Sequence, residues 1–198
     1  MNRHEYLDLK IEIYDDPTYK VDSADNKFNY SKHYFGDGAQ DYPTSKHAIK
    51  IFRNEEEINN CIIIGSGGST EVNKNSSLLD NDQLVLCCCD TIFCLSLPDL
   101  NLKWKTQADQ ATCFQIMKLQ DDYIVHGELH ITRLDKDGKI KWQFGGADIF
   151  VSIEGEEEFK LEKGHIMLSD FCNTKYKRAE VFSVLNSSFG VLSNVTLN

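Results

Sequence analysis

A chain of 198 residues with 41% hydrophobic and 11% aromatic content is one globular domain, or a domain with a small appendage, and is too apolar for a disordered tail. Surface scaling lets roughly 70% of the extended chain's area be buried, so the core needs no disulfide staple. The 21 basic and 31 acidic residues give a net charge of −10, which repels a phosphate backbone and excludes nucleic acid as an expected partner; the longest apolar run, Leu84 to Cys89, is far short of the roughly 20 residues a membrane-spanning helix needs.

In chain order, Met1-Asn2-Arg3-His4-Glu5 lacks the apolar stretch and cleavage site of an export signal, which points to a cytoplasmic protein. Leu7-Asp8-Leu9-Lys10-Ile11-Glu12-Ile13 alternates apolar and charged side chains and predicts an opening strand. Residues 15 to 46 are polar but hold Tyr19, Phe28, Tyr30, Tyr34, Phe35 and Tyr42, as an ordered loop pinning aromatics on a sheet would. Residues 1–47 therefore read as an N-terminal strand and loop packed on a main domain, 48–198. There, short apolar runs (48 to 52, 61 to 64, 83 to 89, 91 to 97, 122 to 126, 129 to 134, 147 to 153 and 165 to 168) alternate with turn residues, the rhythm of an antiparallel β meander. The stretch from Ala108 to Leu119 fits a helix or a strand equally well.

The main domain repeats itself. Leu84-Val85-Leu86, Ile92 to Leu97 and Leu102-Lys103-Trp104-Lys105 match Tyr123-Ile124-Val125, Leu129 to Leu134 and Ile140-Lys141-Trp142-Gln143, with the two tryptophans 38 residues apart. Asp137-Gly138 between the last two runs signals a hairpin of type I′, which needs positive φ at both central residues. A third copy without tryptophan runs from His165-Ile166-Met167-Leu168 through Lys175-Tyr176-Lys177. The segment Leu134-Asp135-Lys136-Asp137-Gly138-Lys139-Ile140-Lys141-Trp142 resembles the repeat of bacterial β-propeller proteins related to the quinoprotein (PQQ-type) dehydrogenases. The resemblance implies a packing role for Trp104 and Trp142 and a turn role for Asp137 and Gly138. It does not carry over the dehydrogenase activity, because the sequence shows neither that family's export signal nor its quinone and metal ligands. At 38 residues per unit the chain holds at most four or five units. The expected fold is therefore all-β: antiparallel meander sheets in a small or incomplete propeller-like array, completed by the N-terminal strand or by a second subunit as a homo-oligomer.

Few residues point to chemistry. Gly65-Ser66-Gly67-Gly68-Ser69-Thr70 begins like a phosphate-binding turn, but Thr70 stands where the third glycine belongs and no apolar helix follows, so it reads as an exposed loop. If His126-Gly127-Glu128-Leu129-His130 continued a strand, His126, Glu128 and His130 would share one face and could hold a divalent ion; a turn at Gly127 would break that face. Cys87 and Cys89 are expected on one face of a buried strand and Cys88 on the other, and the seven cysteines read as reduced core residues. Hydrolase signatures are missing, and no cofactor is implied. The sequence thus describes a non-enzymatic interaction module for a basic protein partner, in the manner of an acidic immunity or inhibitor protein. The alternative is a metal-dependent enzyme or small-molecule binder using the His126, Glu128 and His130 face.

Overall fold

The computed structural model describes residues 1–151, 159–162, 165–179 and 190–191. Among these every regular element is a strand, and the strands form four sheets in chain order. The first contains β1 (Asn2–Tyr6), β2 (Leu9–Asp15), β3 (His33–Phe35), β4 (Ser45–Arg53) and β5 (Glu56–Gly65) in the order β1-β2-β4-β5-β3, antiparallel except where β3 lies parallel to β5. The second is the meander β6 (Ser77–Asp80), β7 (Gln83–Cys88), β8 (Thr91–Ser96) and β9 (Leu102–Gln107). The third is β10 (Cys113–Leu119), β11 (Asp122–Gly127), β12 (Ile131–Leu134) and β13 (Ile140–Phe144), and the fourth is β14 (Phe159–Glu162), β15 (His165–Ser169), β16 (Lys175–Ala179) and β17 (Gly190–Val191). The all-β meander expected from the apolar runs is the fold observed. Within the 108–119 stretch Cys113–Leu119 forms strand β10 and 108–112 is a connection, and residues 47/48 lie inside β4, which pairs along its length with β2.

The sheets stack face to face, and strand alternation assigns each side chain to one of three shared cores. In β7, Leu84, Leu86 and Cys88 enter the core against the first sheet, while Val85 and Cys87 enter the core against the third. In β8, Phe93 and Leu95 face the first sheet and Ile92 and Cys94 the third; in β11, Tyr123 and Val125 face the second sheet and Ile124 the fourth. An inner sheet buried on both faces needs continuous apolar strands, which is why Leu84 to Cys89 shows no alternation in sequence. At about 1.5–3 kcal/mol per fully buried large side chain, these interfaces supply the main stabilising term. The other face of the first sheet is covered by its own loop: Tyr19, Tyr30 and Ala39 close over Ala48, Ile62 and Ile64, with Phe28 and Phe35 beside them.

Several local expectations are corrected. Leu7 does not open the strand: it takes φ 55 in the turn between β1 and β2 and is 86% exposed, and the alternation begins at Leu9. The hairpin at Asp137-Gly138 is not type I′, since within it only Gly138 has positive φ. It is a longer turn closed by Asp135, whose Oδ1 accepts the N–H groups of Asp137 and Lys139. Cys88 and Cys89 do not alternate. The strand ends at Cys88, and φ 54 at Cys89 turns its side chain into the same core as Cys88, leaving Cys87 alone on the other face. The 129–134 run becomes strand only from Ile131. The 147–153 run is irregular as far as Val151, with Phe150 buried in the third core, and its last two residues lie outside the described ones.

Candidate functional site

The hydrogen bonds place the loops of successive sheets at two ends of the stack. At one end, Asp15, the start of β4 and the Gly65–Thr70 loop meet the β7–β8 turn, where Cys89 N–H donates to Thr70 Oγ1 (3.0 Å). Cys113 N–H donates to Cys89 O (2.7 Å), Glu128 N–H to Thr112 O (2.8 Å), and Phe150 N–H to Glu128 O (2.7 Å), so the bonds continue across the third sheet. At the opposite end lie the turns at Leu7-Asp8, Asn54-Glu55, Asn81-Asp82, Asp99, Gln120-Asp121 and Asp135 to Lys139. Lys118 and Tyr123, flanking the β10–β11 turn, both reach Asp80 beside the β6–β7 turn, which fixes this alignment.

His126, Glu128 and His130 do not share a face. β11 ends at Gly127, and the next three residues form the turn into β12. His126 is 1% exposed, its ring stacked on Phe159 (5.2 Å between centroids) and edge-on to Phe114. Its Nε2 lies 3.0 Å from Phe150 O; a carbonyl only accepts, so Nε2 carries the proton. Glu128 accepts Thr112 Oγ1–H (2.8 Å), and His130 Nδ1 stands 3.6 Å from Asp109 Oδ2. Each group serves a separate partner, and among the described residues no cluster of three metal-ligating side chains occurs. The organiser of this turn is Asp109, which the sequence did not single out. Its buried carboxylate accepts the N–H groups of Ala111 (2.7 Å) and Thr112 (3.3 Å) on Oδ1 and of Leu129 (3.0 Å) and His130 (2.7 Å) on Oδ2.

The burial of His126 makes a pH prediction. Burial pushes its imidazole down to about 4, only partly offset by the Phe150 carbonyl and the Asp109 carboxylate. The native protein therefore refuses a proton that the unfolded chain takes up near its ordinary value of 6.5. The stability difference is absent above that value, grows as pH falls from 6.5 toward about 4 and then levels, destabilising the fold by ~3 kcal/mol. Burial lowers the His4 imidazole too, so the contrast with His126→Gln isolates His126. Urea unfolding at pH 7.5 and 4.5 should show a smaller loss in the variant; equal losses would remove His126 from the account.

The Gly65–Thr70 loop covers a second constellation absent from the sequence reading. His47 is 1% exposed, its Nδ1 is 2.8 Å from Asp15 Oδ1, and its Nε2 is 3.1 Å from Thr70 Oγ1. The carboxylate approach is close but too bent for an in-line hydrogen bond, so it is mainly an electrostatic contact. Burial raises the Asp15 carboxyl, yet His47 and the Val72 N–H more than offset this and hold it below the ordinary value. Carboxylate, imidazole and hydroxyl in this order are the elements that activate an alcohol. Here Thr70 Oγ1 also accepts the Cys89 N–H and the imidazole is buried, so the relay ties the first sheet to the β7–β8 turn. No sequence signal marks it, since Asp15, His47 and Thr70 lie on three separate segments.

Trp104 and Trp142 are half-buried on the outer strands β9 and β13, packed against the second and third inter-sheet cores respectively. Trp104 lies over the Asp137-Gly138 turn of the following sheet: a Cβ on Gly138 would come within 2.4 Å of its ring.

No family model matches the sequence, and no curated protein does. Among solved structures, the chain is similar to the computationally designed Ika8 protein at 8% identity and TM-score 0.52, over 89% of this chain and 44% of that one. It is also similar to the CNH domain of AfRom2 (10% identity, TM-score 0.43, 74% of this chain and 48% of that one) and to Hsv2 of Kluyvelomyces marxianus (7% identity, TM-score 0.41, 74% and 46%). The likeness to Ika8 is one of all-β fold alone, and the chain spans less than half the length of each of these proteins.

Proposed function

We propose that this chain is a non-enzymatic interaction module, a partial propeller of four blades whose acidic turn end engages a basic protein partner. The observation that supports it is the grouping of exposed Glu55, Glu56, Asp82, Asp99, Asp121 and Asp137 at one end of the stack. Several cations at that end are already engaged: Arg53 with Asp8, Lys118 with Asp80, and Arg133 and Lys141 with Asp122. Such a surface steers a basic partner by long-range attraction. An immunity or inhibitor role toward that partner is consistent with the charge and the chain's size, and a reducing, cytoplasmic setting suits six cysteines used as core side chains. The reading in which His126, Glu128 and His130 bind a metal lacks comparable support, because their contacts diverge.

The test compares the wild type with a variant carrying Glu55→Lys, Glu56→Lys, Asp82→Lys and Asp121→Lys. Immobilised wild type should capture one basic protein from its host lysate at low salt, with affinity falling on the order of tenfold as salt rises to physiological strength. The variant should not capture it. Capture indifferent to both salt and the substitutions, or no capture at all, would overturn the proposal.

A further inference from the structure

The turn between β7 and β8 brings two thiols together in a way that a regular strand forbids. Adjacent side chains on a strand point to opposite faces, but the left-handed backbone at Cys89 folds its side chain to the side of Cys88. Both sulfurs converge on Gly65: a Cβ there would lie 2.8 Å from Cys88 Sγ and 2.7 Å from Cys89 Sγ, so only glycine leaves room for the pair. Cys88 Sγ–H points toward Ser45 O (3.8 Å), and Cys89 sits in the turn beneath the Gly65–Thr70 loop, held there by its N–H to Thr70 Oγ1.

We propose that Cys88 and Cys89 are a vicinal dithiol that a hydroperoxide closes to an intrachain disulfide across the β7–β8 turn. Cys89 is the attacking member. Sharing a proton with Cys88, with help from Ser45 and His47, brings its thiol down to about 6, whereas burial pushes Cys61, Cys87, Cys94 and Cys113 up. The Cys89 thiolate attacks the terminal peroxide oxygen, the O–O bond breaks, and the leaving oxygen takes a proton and departs as water from hydrogen peroxide or as an alcohol from an organic hydroperoxide, leaving a sulfenic acid on Cys89. Cys88 sulfur then attacks the Cys89 sulfur. The S–O bond breaks, the Cys88 proton leaves with the hydroxide as water, and the S–S bond forms. Two thiols are oxidised by two electrons, and one hydroperoxide is reduced. Both cysteines are fully buried, so oxidation requires the Gly65–Thr70 loop to lift and is slower than that of an exposed thiolate.

The test treats the full chain with a small excess of hydrogen peroxide, removes the peroxide, and alkylates in denaturant before mass mapping. The expected result is that two of the seven cysteines escape alkylation, that the protein loses the mass of two hydrogens, and that fragmentation places the bond between Cys88 and Cys89. Cys87→Ser should leave this unchanged, while Cys88→Ser should stop the reaction at a Cys89 sulfenic acid, seen as one added oxygen. If Cys88→Ser does not fold, the wild-type and Cys87→Ser maps decide alone. Seven alkylated cysteines, a bond to any other cysteine, or oxidation confined to the exposed Cys172 would overturn the proposal.

Discussion

Replacing Trp104 or Trp142 by alanine is expected to lower the free energy of unfolding by about 3–5 kcal/mol each. Both indoles stand on the outermost strand of one sheet and pack toward the next, so each seals an interface that meander pairing within a sheet cannot hold. Trp104 touches the Gly138 turn and lies 5.9 Å from the Tyr123 ring, both in the third sheet. Trp142 joins the third core beside Phe144, with the Arg178 guanidinium 3.8 Å over its ring from the fourth sheet. The loss at Trp104 should be the larger, because Gly138 fits so closely under its ring that the vacated space has a stiff, tight turn for a wall. Gly138→Ala should perturb the same interface from the other side, since the added methyl meets the indole and a φ of 80 disfavours alanine. Denaturant unfolding of the three variants checks this; losses below about 1 kcal/mol for both tryptophans would remove the inter-sheet packing role.

What the sequence made legible was what repeats locally. The period-two pattern at Leu9, Ile11 and Ile13 is visible because one face of β2 is buried and the other is not. The two tryptophan-bearing copies are visible because successive sheets solve the same packing problem with the same residues. Of the aromatics of residues 15 to 46, Tyr19, Phe28, Tyr30 and Phe35 announced a loop that covers a sheet face, whereas Tyr34 packs on the opposite core and Tyr42 is exposed. Turn geometry was less legible: Leu7, Cys89 and Gln120 adopt positive φ where the usual sequence signal would be asparagine or glycine, because the strand pairing around each turn outweighs the local cost. That one dihedral at Cys89 reversed the expected facing of its side chain and created the dithiol. The sites least visible were those whose partners are distant in sequence or are backbone groups, such as His47 between Asp15 and Thr70. A backbone N–H exists at almost every residue, so an acceptor that collects several leaves no pattern in the letters.

Asp109 is the extreme case, and its removal is expected to cost as much as a tryptophan. Asp109→Ala strips the acceptor from four N–H groups in two connections, the one leading into β10 and the one between β11 and β12. An orphaned buried donor costs about 1–3 kcal/mol, and water reaching the loosened turn recovers part of that, so a net loss of about 3–5 kcal/mol is expected. Asp109→Asn keeps the shape but must aim an NH2 at one of the two N–H pairs, so it should lose about half as much. Neighbouring geometry leaves no room for a longer reach: the Cβ that Gly127→Ala would add falls 2.3 Å from Asp109 Oδ2, so this variant should mimic part of the defect. Amide exchange separates the local effect from the global one, since Leu129 and His130 should lose protection in Asp109→Ala before the strands β11 and β12 do. If Asp109→Ala costs less than about 1 kcal/mol, or exchange at those two amides is unchanged, the carboxylate does not organise the turn. The stretch His126 to His130 would then owe its shape to something other than that carboxylate.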